Sequence, residues 1–325
     1  MKNLNLKTLN GKDTLLIKHG ILKKKILITG GSGTVGTAFI KKYYNKYKFY
    51  NISRNENNIA ELTQNYPDVE SHVGDILDLE HLISVFEKIK PDVVIHSAAL
   101  KHINLAEINP TSAIKINVRG SLNVIKASVR AQVPITIGIS TDKACDPDSV
   151  YGYTKRMMEK TFMEHHNEKT KFVCTRFANV AGSNGSVIPF WKNLIKQDES
   201  LKLTDPKMNR LMFSKEDAAE LVHNAYKFAR EMEESFILSN IMKNVNMLDL
   251  AKSMSNKEIK IVGLRPGEKL NETLVSQKEL LYTKVINNLV FIFNKIQSKE
   301  FNLKGEHSSL TAERMSKKEL EKLIR

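Results

Sequence analysis

The stretch Ser140–Lys155, STDKACDPDSVYGYTK, puts a phenol (Tyr151) four positions before an ammonium (Lys155), with an acid and a second amine (Asp142, Lys143) shortly upstream. Residues four apart on a helix share a face. An ammonium beside a phenol, with a cofactor cation behind it, favours phenolate and draws a Tyr pKa from about 10 toward neutrality. Tyr151 could then take a hydroxyl proton while a hydride leaves for a nicotinamide. Tyr153 has no lysine at that spacing and reads as a surface or packing residue. On pattern alone, Asp142–Lys143 could also be a capped turn with the lysine in solvent.

Such a pair acts only if other elements hold it. From Lys25 the chain alternates short apolar runs (KILITGG, FYNIS, VESHVGDI, DVVIHSAAL, ITIGIS, KFVCTRFANV) with segments of helical period (TVGTAFIKKYYNKY, IAELTQNY, LEHLISVFEKI, SAIKINVRGSLNVIKASVRAQ). That alternation predicts an α/β fold: a doubly wound parallel sheet of Rossmann type, with a smaller C-terminal lobe for substrate. The Gly/Ser/Pro stretch AGSNGSVIPF marks the lobe's start, and KEDAAELVHNAYKFAREM reads as a helix returning to the sheet. The expected division is 1–181 plus about 214–240 for the dinucleotide-binding domain, and 182–213 plus about 241–325 for the lobe, with a strand at NLVFIF and a closing helix at SKKELEKLI.

Gly30, Gly33 and Gly36 in TGGSGTVG follow the first strand and open the first helix. Glycines there allow a tight turn, a close approach to pyrophosphate and donation of helix N-terminal amides. Thr37 stands where an NTP-binding loop would need its lysine, so that class is excluded. The second strand ends in Ser53 and Arg54, where an NAD enzyme usually carries an acid; a hydroxyl and a guanidinium suit a 2′-phosphate, so NADP is favoured over NAD. Asp75 and Ile76 end the third strand, a place for adenine, although Asp75 reads equally as a helix N-cap.

Composition bounds the rest. The net charge of +14 comes from lysines scattered along the whole chain, and no nucleic-acid signature accompanies them; nucleic acid is not the expected partner. No apolar run reaches the ~20 residues that cross a bilayer, so no membrane partner is expected. Two cysteines, Cys145 and Cys174, suit a reducing, cytoplasmic setting. The adjacent His165 and His166 point to different faces and make a poor metal pair, and no metal is expected. The leading residues, with a strand-like DTLLI, have no assigned role.

ILITGGSGTVG, AALKHINLAEINP, STDKACDPDSVYGYTK, RFANVAGSNGSVIPF, MNRLMF and GLRPGEKLNE occur in this order between Lys25 and Glu272. With the glycine turn and the Tyr–Lys pair, they resemble the extended short-chain dehydrogenase/reductases. Within that group they resemble the soluble UDP-N-acetylglucosamine 4,6-dehydratases, the C5-inverting enzymes of pseudaminic acid synthesis. The resemblance implies a C4 ketone that acidifies C5–H, elimination of water across C5–C6, and hydride return to C6. Asp142 is then the acid for the leaving hydroxyl, Lys143 the base at C5, and Thr141 an assistant at the C4 oxygen, beside Tyr151 and Lys155. Ser32, Thr34, Val35, Ser97 and Val180 join the cofactor contacts. Lys101, Asn179, Val187, Arg210, Arg265 and Glu268 become nucleotide-sugar contacts, with the two arginines clamping diphosphate or nucleotide.

Asn55, Asn58 and Asn184 stand where the family carries other residues. Arg176 is read as supporting a strand end rather than touching substrate, and a homo-oligomer is implied. The rivals are a GDP-linked or C5-retaining dehydratase, a nucleotide-sugar epimerase that never dehydrates, and a non-catalytic NADP-binding sensor or nucleic-acid scaffold.

Overall fold

The computed structural model describes residues 23–298 and 302–324, and the DTLLI segment lies outside the described residues. β1 (Lys25–Thr29), β2 (Lys48–Ser53), β3 (Glu70–Val73), β4 (Val93–His96), β5 (Ile135–Thr141) and β6 (Lys171–Phe177) are the apolar runs of the sequence. Between them lie α1 (Thr34–Tyr43), α2 (Glu56–Asn65), α3 (Leu79–Ile89), α4 (Gly120–Arg130) and α5 (Val150–His165). Every residue of β4 and β5 is buried, as a strand covered on both faces requires.

The following strands are β7 (Asn179–Val180), β8 (Leu201–Leu203), β9 (Asn209–Phe213), β10 (Ile237–Asn240), β11 (Lys243–Asn246), β12 (Ile259–Ile261), β13 (Thr273–Val275), β14 (Thr283–Ile286), β15 (Leu289–Ile292) and β16 (His307–Ser308). The main sheet runs β14-β15-β10-β6-β5-β4-β1-β2-β3. Its strands from β3 to β10 are parallel, and the β14–β15 hairpin is antiparallel. The order reverses between β1 and β4, which opens a crevice at the carboxyl ends of these strands.

α6 (Lys215–Glu231) returns to the sheet and packs on α1, where the Tyr43 and His223 rings stack 4.3 Å apart and the Tyr47 hydroxyl meets His223 Nε2 at 2.8 Å. Ser214 and Asp217 form a reciprocal capping box at its start. A separate apolar core surrounds the fully buried Trp191 and draws on Leu201, Met212, Val245, Leu250 and Leu320. The closing helix falls at Lys317–Ile324.

Two features differ from the sequence reading. The NLVFIF run lies in β15, which pairs with β10, so 283–292 extends the large sheet instead of belonging to the lobe. An apolar strand with Val290 and Phe291 fully buried gains more against a neighbouring core than in a small lobe. The long helix before β5 is interrupted by a π turn at Lys115–Arg119. There the buried Asn117 bonds Leu100 N at 2.8 Å, Leu100 O at 3.0 Å and Thr154 Oγ1 at 3.0 Å, tying the β4 loop to α5.

Candidate active site

The crevice has a backbone-lined end and a side-chain-lined end. At the first, Gly30 takes φ +74°, and a Cβ on it would stand 2.8 Å from Ala98 N. A Cβ on Gly36 would stand 2.5 Å from the Gly31 backbone, so α1 can approach the turn this closely only with glycine there. Gly33 is the N-cap of α1 and contributes no side-chain bond, and the first turn carries no acid. The amides of Thr34, Val35 and Gly36 therefore offer a helix N-terminus to an anion. This cradle fits a dinucleotide pyrophosphate. Ser97 N bonds Thr29 O at 2.9 Å, so the end of β4 forms the facing wall.

At the end of β2, Ser53 Oγ donates to Asn51 Oδ1 (2.8 Å) and accepts from Ser32 N (3.4 Å). The exposed Arg54 reaches Asp75 Oδ2 at 3.3 Å. Asp75 does not cap the next helix. Its Oδ1 accepts from Leu77 N (2.9 Å), and Asp78 caps α3 by accepting from His81 N (3.0 Å). The Ile76 side chain lies under Gly120, in the core, rather than displayed at the crevice. Asn55, which departs from the family pattern, is the N-cap of α2 and accepts from Asn58 N at 3.0 Å.

Above the cradle runs the loop that follows β7. Gly182 and Gly185 take φ +65° and +72°. Asn184 N donates to Thr34 Oγ1 (3.1 Å), and its carbonyl accepts from Lys101 Nζ (2.6 Å). Lys101 thus straps this loop to the β4 loop, and burial lowers its pKa. Asn179 Nδ2 donates to Leu211 O (3.2 Å), Val180 pairs with Phe213 of β9, and Val187 opens a helix at Val187–Lys196.

The side-chain end is assembled at the β5 terminus. Thr141 Oγ1 donates to Asp142 Oδ1 (2.9 Å), which also accepts from Lys143 N (2.9 Å) and Lys143 Nζ (3.0 Å). Asp142 Oδ2 is buried with no partner among the described residues. Lys143 Nζ lies 3.3 Å from Glu272 Oε1, and Arg210 Nε lies 3.8 Å from the same oxygen. Burial works against the Lys143 ammonium, yet Asp142 and Glu272 outweigh it and hold the pKa well above the usual lysine value. The capped-turn alternative, with Lys143 in solvent, is therefore not what forms.

Tyr151 lies beside this cluster, but its phenol is not shifted toward neutrality. Burial raises its pKa to about 12 against the opposing pull of Lys143. Lys155 Nζ rests on Met158 Sδ at 3.0 Å, and burial lowers it to about 8. Beneath it His96 is held neutral by burial and by Lys155, with Thr29 Oγ1 at 2.7 Å and Ser121 Oγ at 2.9 Å on its two ring nitrogens.

Arg210 is buried. Its guanidinium donates to Asn209 O (2.8 Å), Leu270 O (3.1 Å) and Lys269 O (2.8 Å). These bonds tie the start of β9 to the 269–270 backbone, where Leu270 O also accepts from Asn209 N (2.9 Å). Arg265 is exposed, in a turn whose Gly267 (φ +77°) leans on Ile103 and Ser149 near the start of α5. Glu268 accepts from Arg265 N at 3.2 Å and so braces its own turn.

Sequence reasoning assigned no role to Glu272, nor to the buried network behind α5. There the Arg176 guanidinium bonds Glu159 at 2.9 Å and Glu279 at 2.8 Å, and Ser140 Oγ donates to Glu159 Oε1 at 2.8 Å. Arg176 supports the strand end, as expected from sequence, through acids too distant in the chain for any spacing rule to connect. Cys145 Sγ lies 3.3 Å from Glu279 Oε2, and burial pushes its thiol pKa up.

Residues 26–294 match the model of a family described as "Polysaccharide biosynthesis protein". The chain is 37% identical over 286 residues to a Campylobacter jejuni protein named UDP-N-acetylglucosamine 4,6-dehydratase (inverting), covering 85% of this chain and 84% of that one. A Rickettsia bellii UDP-glucose 4-epimerase is 30% identical over 282 residues, covering 82% and 81%. Among solved structures, Pen from Bacillus thuringiensis superposes with a TM-score of 0.86 at 30% identity, over 94% of this chain and 98% of that one. With both its sequence and its extended dehydrogenase/reductase sheet matched over most of their length, the chain belongs to the polysaccharide biosynthesis protein family.

Proposed function

We propose that the chain is a UDP-N-acetylglucosamine 4,6-dehydratase that inverts C5 and uses NADP. The observation that carries this reading is the buried Asp142–Lys143 pair, joined by Tyr151 at the mouth of a dinucleotide cradle. A simple dehydrogenase or epimerase needs the phenol and its ammonium, whereas loss of water also needs an acid and a base at neighbouring carbons. The high sequence identity to the Campylobacter enzyme supports the same reaction.

A nicotinamide dinucleotide held at Gly30, Gly33 and Gly36 would supply hydride acceptance at C4 and hydride donation at C6, and its positive ring would favour the Tyr151 phenolate. Thr141 and Tyr151 hold the C4 oxygen, and Tyr151 takes its proton. Asp142 Oδ2, the carboxyl oxygen without a protein partner, is placed to protonate the departing C6 hydroxyl. Lys143 takes the C5 proton. Arg54 at the end of β2 supports NADP, and Arg265 is the arginine available to a diphosphate. Arg210 acts instead behind Glu272.

The division into a dinucleotide part and a sugar-nucleotide lobe belongs to the same proposal, supported by the separate Trp191 core. A homo-oligomer is part of it too. Exposed Leu105, Ile108, Tyr153 and Met157, on two helices that pack together, support an assembly face. Among the described residues no helix is long and apolar enough to cross a membrane, and a nucleotide-sugar substrate supports a cytoplasmic site.

The test is incubation of the enzyme with UDP-N-acetylglucosamine in deuterated water. A product lighter by one water, with solvent deuterium at C5 and inverted configuration, is expected. An unchanged mass with C4 inverted would establish the epimerase rival.

A further inference from the structure

Glu272 stands at the most consequential unassigned position in the molecule. It is buried, and it comes from the segment before β13, far in sequence from the β5 loop it meets. Its Oε1 faces Lys143 Nζ at 3.3 Å and Arg210 Nε at 3.8 Å, and Asp142 is the other acid on the same ammonium. The backbone on either side is pinned: Glu272 N donates to Ser309 Oγ (2.9 Å), and Ser309 N donates to Glu272 O (2.8 Å). A carboxylate fixed this firmly against a lysine is there for the lysine.

A base must be neutral, and an ammonium ion-paired with the Glu272 carboxylate is not. We infer that Glu272 is the positioning residue that shares a proton with Lys143 and so makes it competent as the base at C5. The inference rests on the dehydratase reading above. A proton passes from Lys143 Nζ to Glu272 Oε1, leaving a neutral amine and a carboxylic acid. The C5 proton then moves to that amine, and the C5–H electron pair becomes the second bond of C5=C6. The C6 hydroxyl departs with the proton of Asp142 as water. Hydride then returns to C6 and solvent gives a proton to the opposite face of C5; Lys143 releases the abstracted proton to solvent and recovers its own from Glu272, and the proton that Tyr151 took from the C4 hydroxyl passes to Asp142, which restores the starting charges. Burial and the neighbouring Asp142 raise the Glu272 pKa, opposed by Lys143 and Arg210, which agrees with an acid able to hold a proton at this place.

The experiment compares wild type, Glu272→Gln and Glu272→Asp with UDP-N-acetylglucosamine. Near-ultraviolet absorbance reads the reduced dinucleotide, mass reads water loss, and kcat is followed from neutral to alkaline pH. In Glu272→Gln, C4 oxidation should persist while water loss falls about 100-fold at neutral pH. Lys143, still paired with Asp142, must then give its proton to solvent, so kcat should climb about tenfold per pH unit where wild type does not. Glu272→Asp should recover about tenfold of the loss. Wild type that returns the sugar nucleotide at unchanged mass would remove the dehydratase reading itself. Wild-type dehydration with Glu272→Gln within twofold, or slower but with the wild-type pH profile, would overturn only the proton-sharing role.

Discussion

The two ends of the crevice are built by opposite strategies. The cradle at α1 is backbone: Gly30, Gly33 and Gly36 act by lacking side chains, within one turn of chain. The end proposed for proton transfer is side chain throughout, and its members arrive from the β5 loop, α5, β9 and the segment before β13. A binding surface for a phosphate can be local, because amides point outward at any uncapped helix start. An acid and a base of controlled strength cannot be local, because burial and opposed charges must converge from several elements.

Lys143→Ala should break the comparison most sharply. We expect kcat to fall about 10,000-fold, with dinucleotide affinity, measured by titration, within twofold of wild type. A parallel loss of both would mean that the two ends are not separable. Next in size is Arg176→Ala, which takes the buried guanidinium from between Glu159 and Glu279 and leaves them only the partly exposed Arg156. Denaturant unfolding should show a loss of about 4 kcal/mol, while the folded enzyme keeps its dinucleotide affinity. The smallest effect belongs to the cradle's rim. Arg54→Ala should weaken NADP about tenfold and leave NAD unchanged, since one charge-assisted contact to a 2′-phosphate is lost. Equal affinities for the two dinucleotides in wild type would remove Arg54 from cofactor selection.

What could be read from the sequence follows the same divide. β1, the glycine turn and α1 were legible because an apolar run, three glycines and a helical period sit side by side. Tyr151 and Lys155 were legible because α5 fixes their spacing. Glu272 was visible only as the last letter of GLRPGEKLNE, since nothing local says that it will meet Lys143. The backbone ties of Arg210 were hidden for a related reason. An arginine in the substrate segment suggests a phosphate partner, but the carbonyls of 269 and 270 reach it first. The Tyr151 phenol is expected to be acidified by Lys155 together with a cofactor cation, and in the protein alone burial raises it. The π turn at Lys115–Arg119 has no sequence period of its own and came from Asn117 bridging two elements.

The late position of Glu272 and Glu279 in the chain has a consequence for biosynthesis. A polypeptide leaving the ribosome N-terminus first can complete the glycine cradle and the phenol-bearing helix well before either acid has emerged. During that interval Arg176 has Glu159 without Glu279, and Lys143 has Asp142 without Glu272. Truncation just upstream of Glu272 should therefore yield an aggregation-prone fragment rather than a slow enzyme.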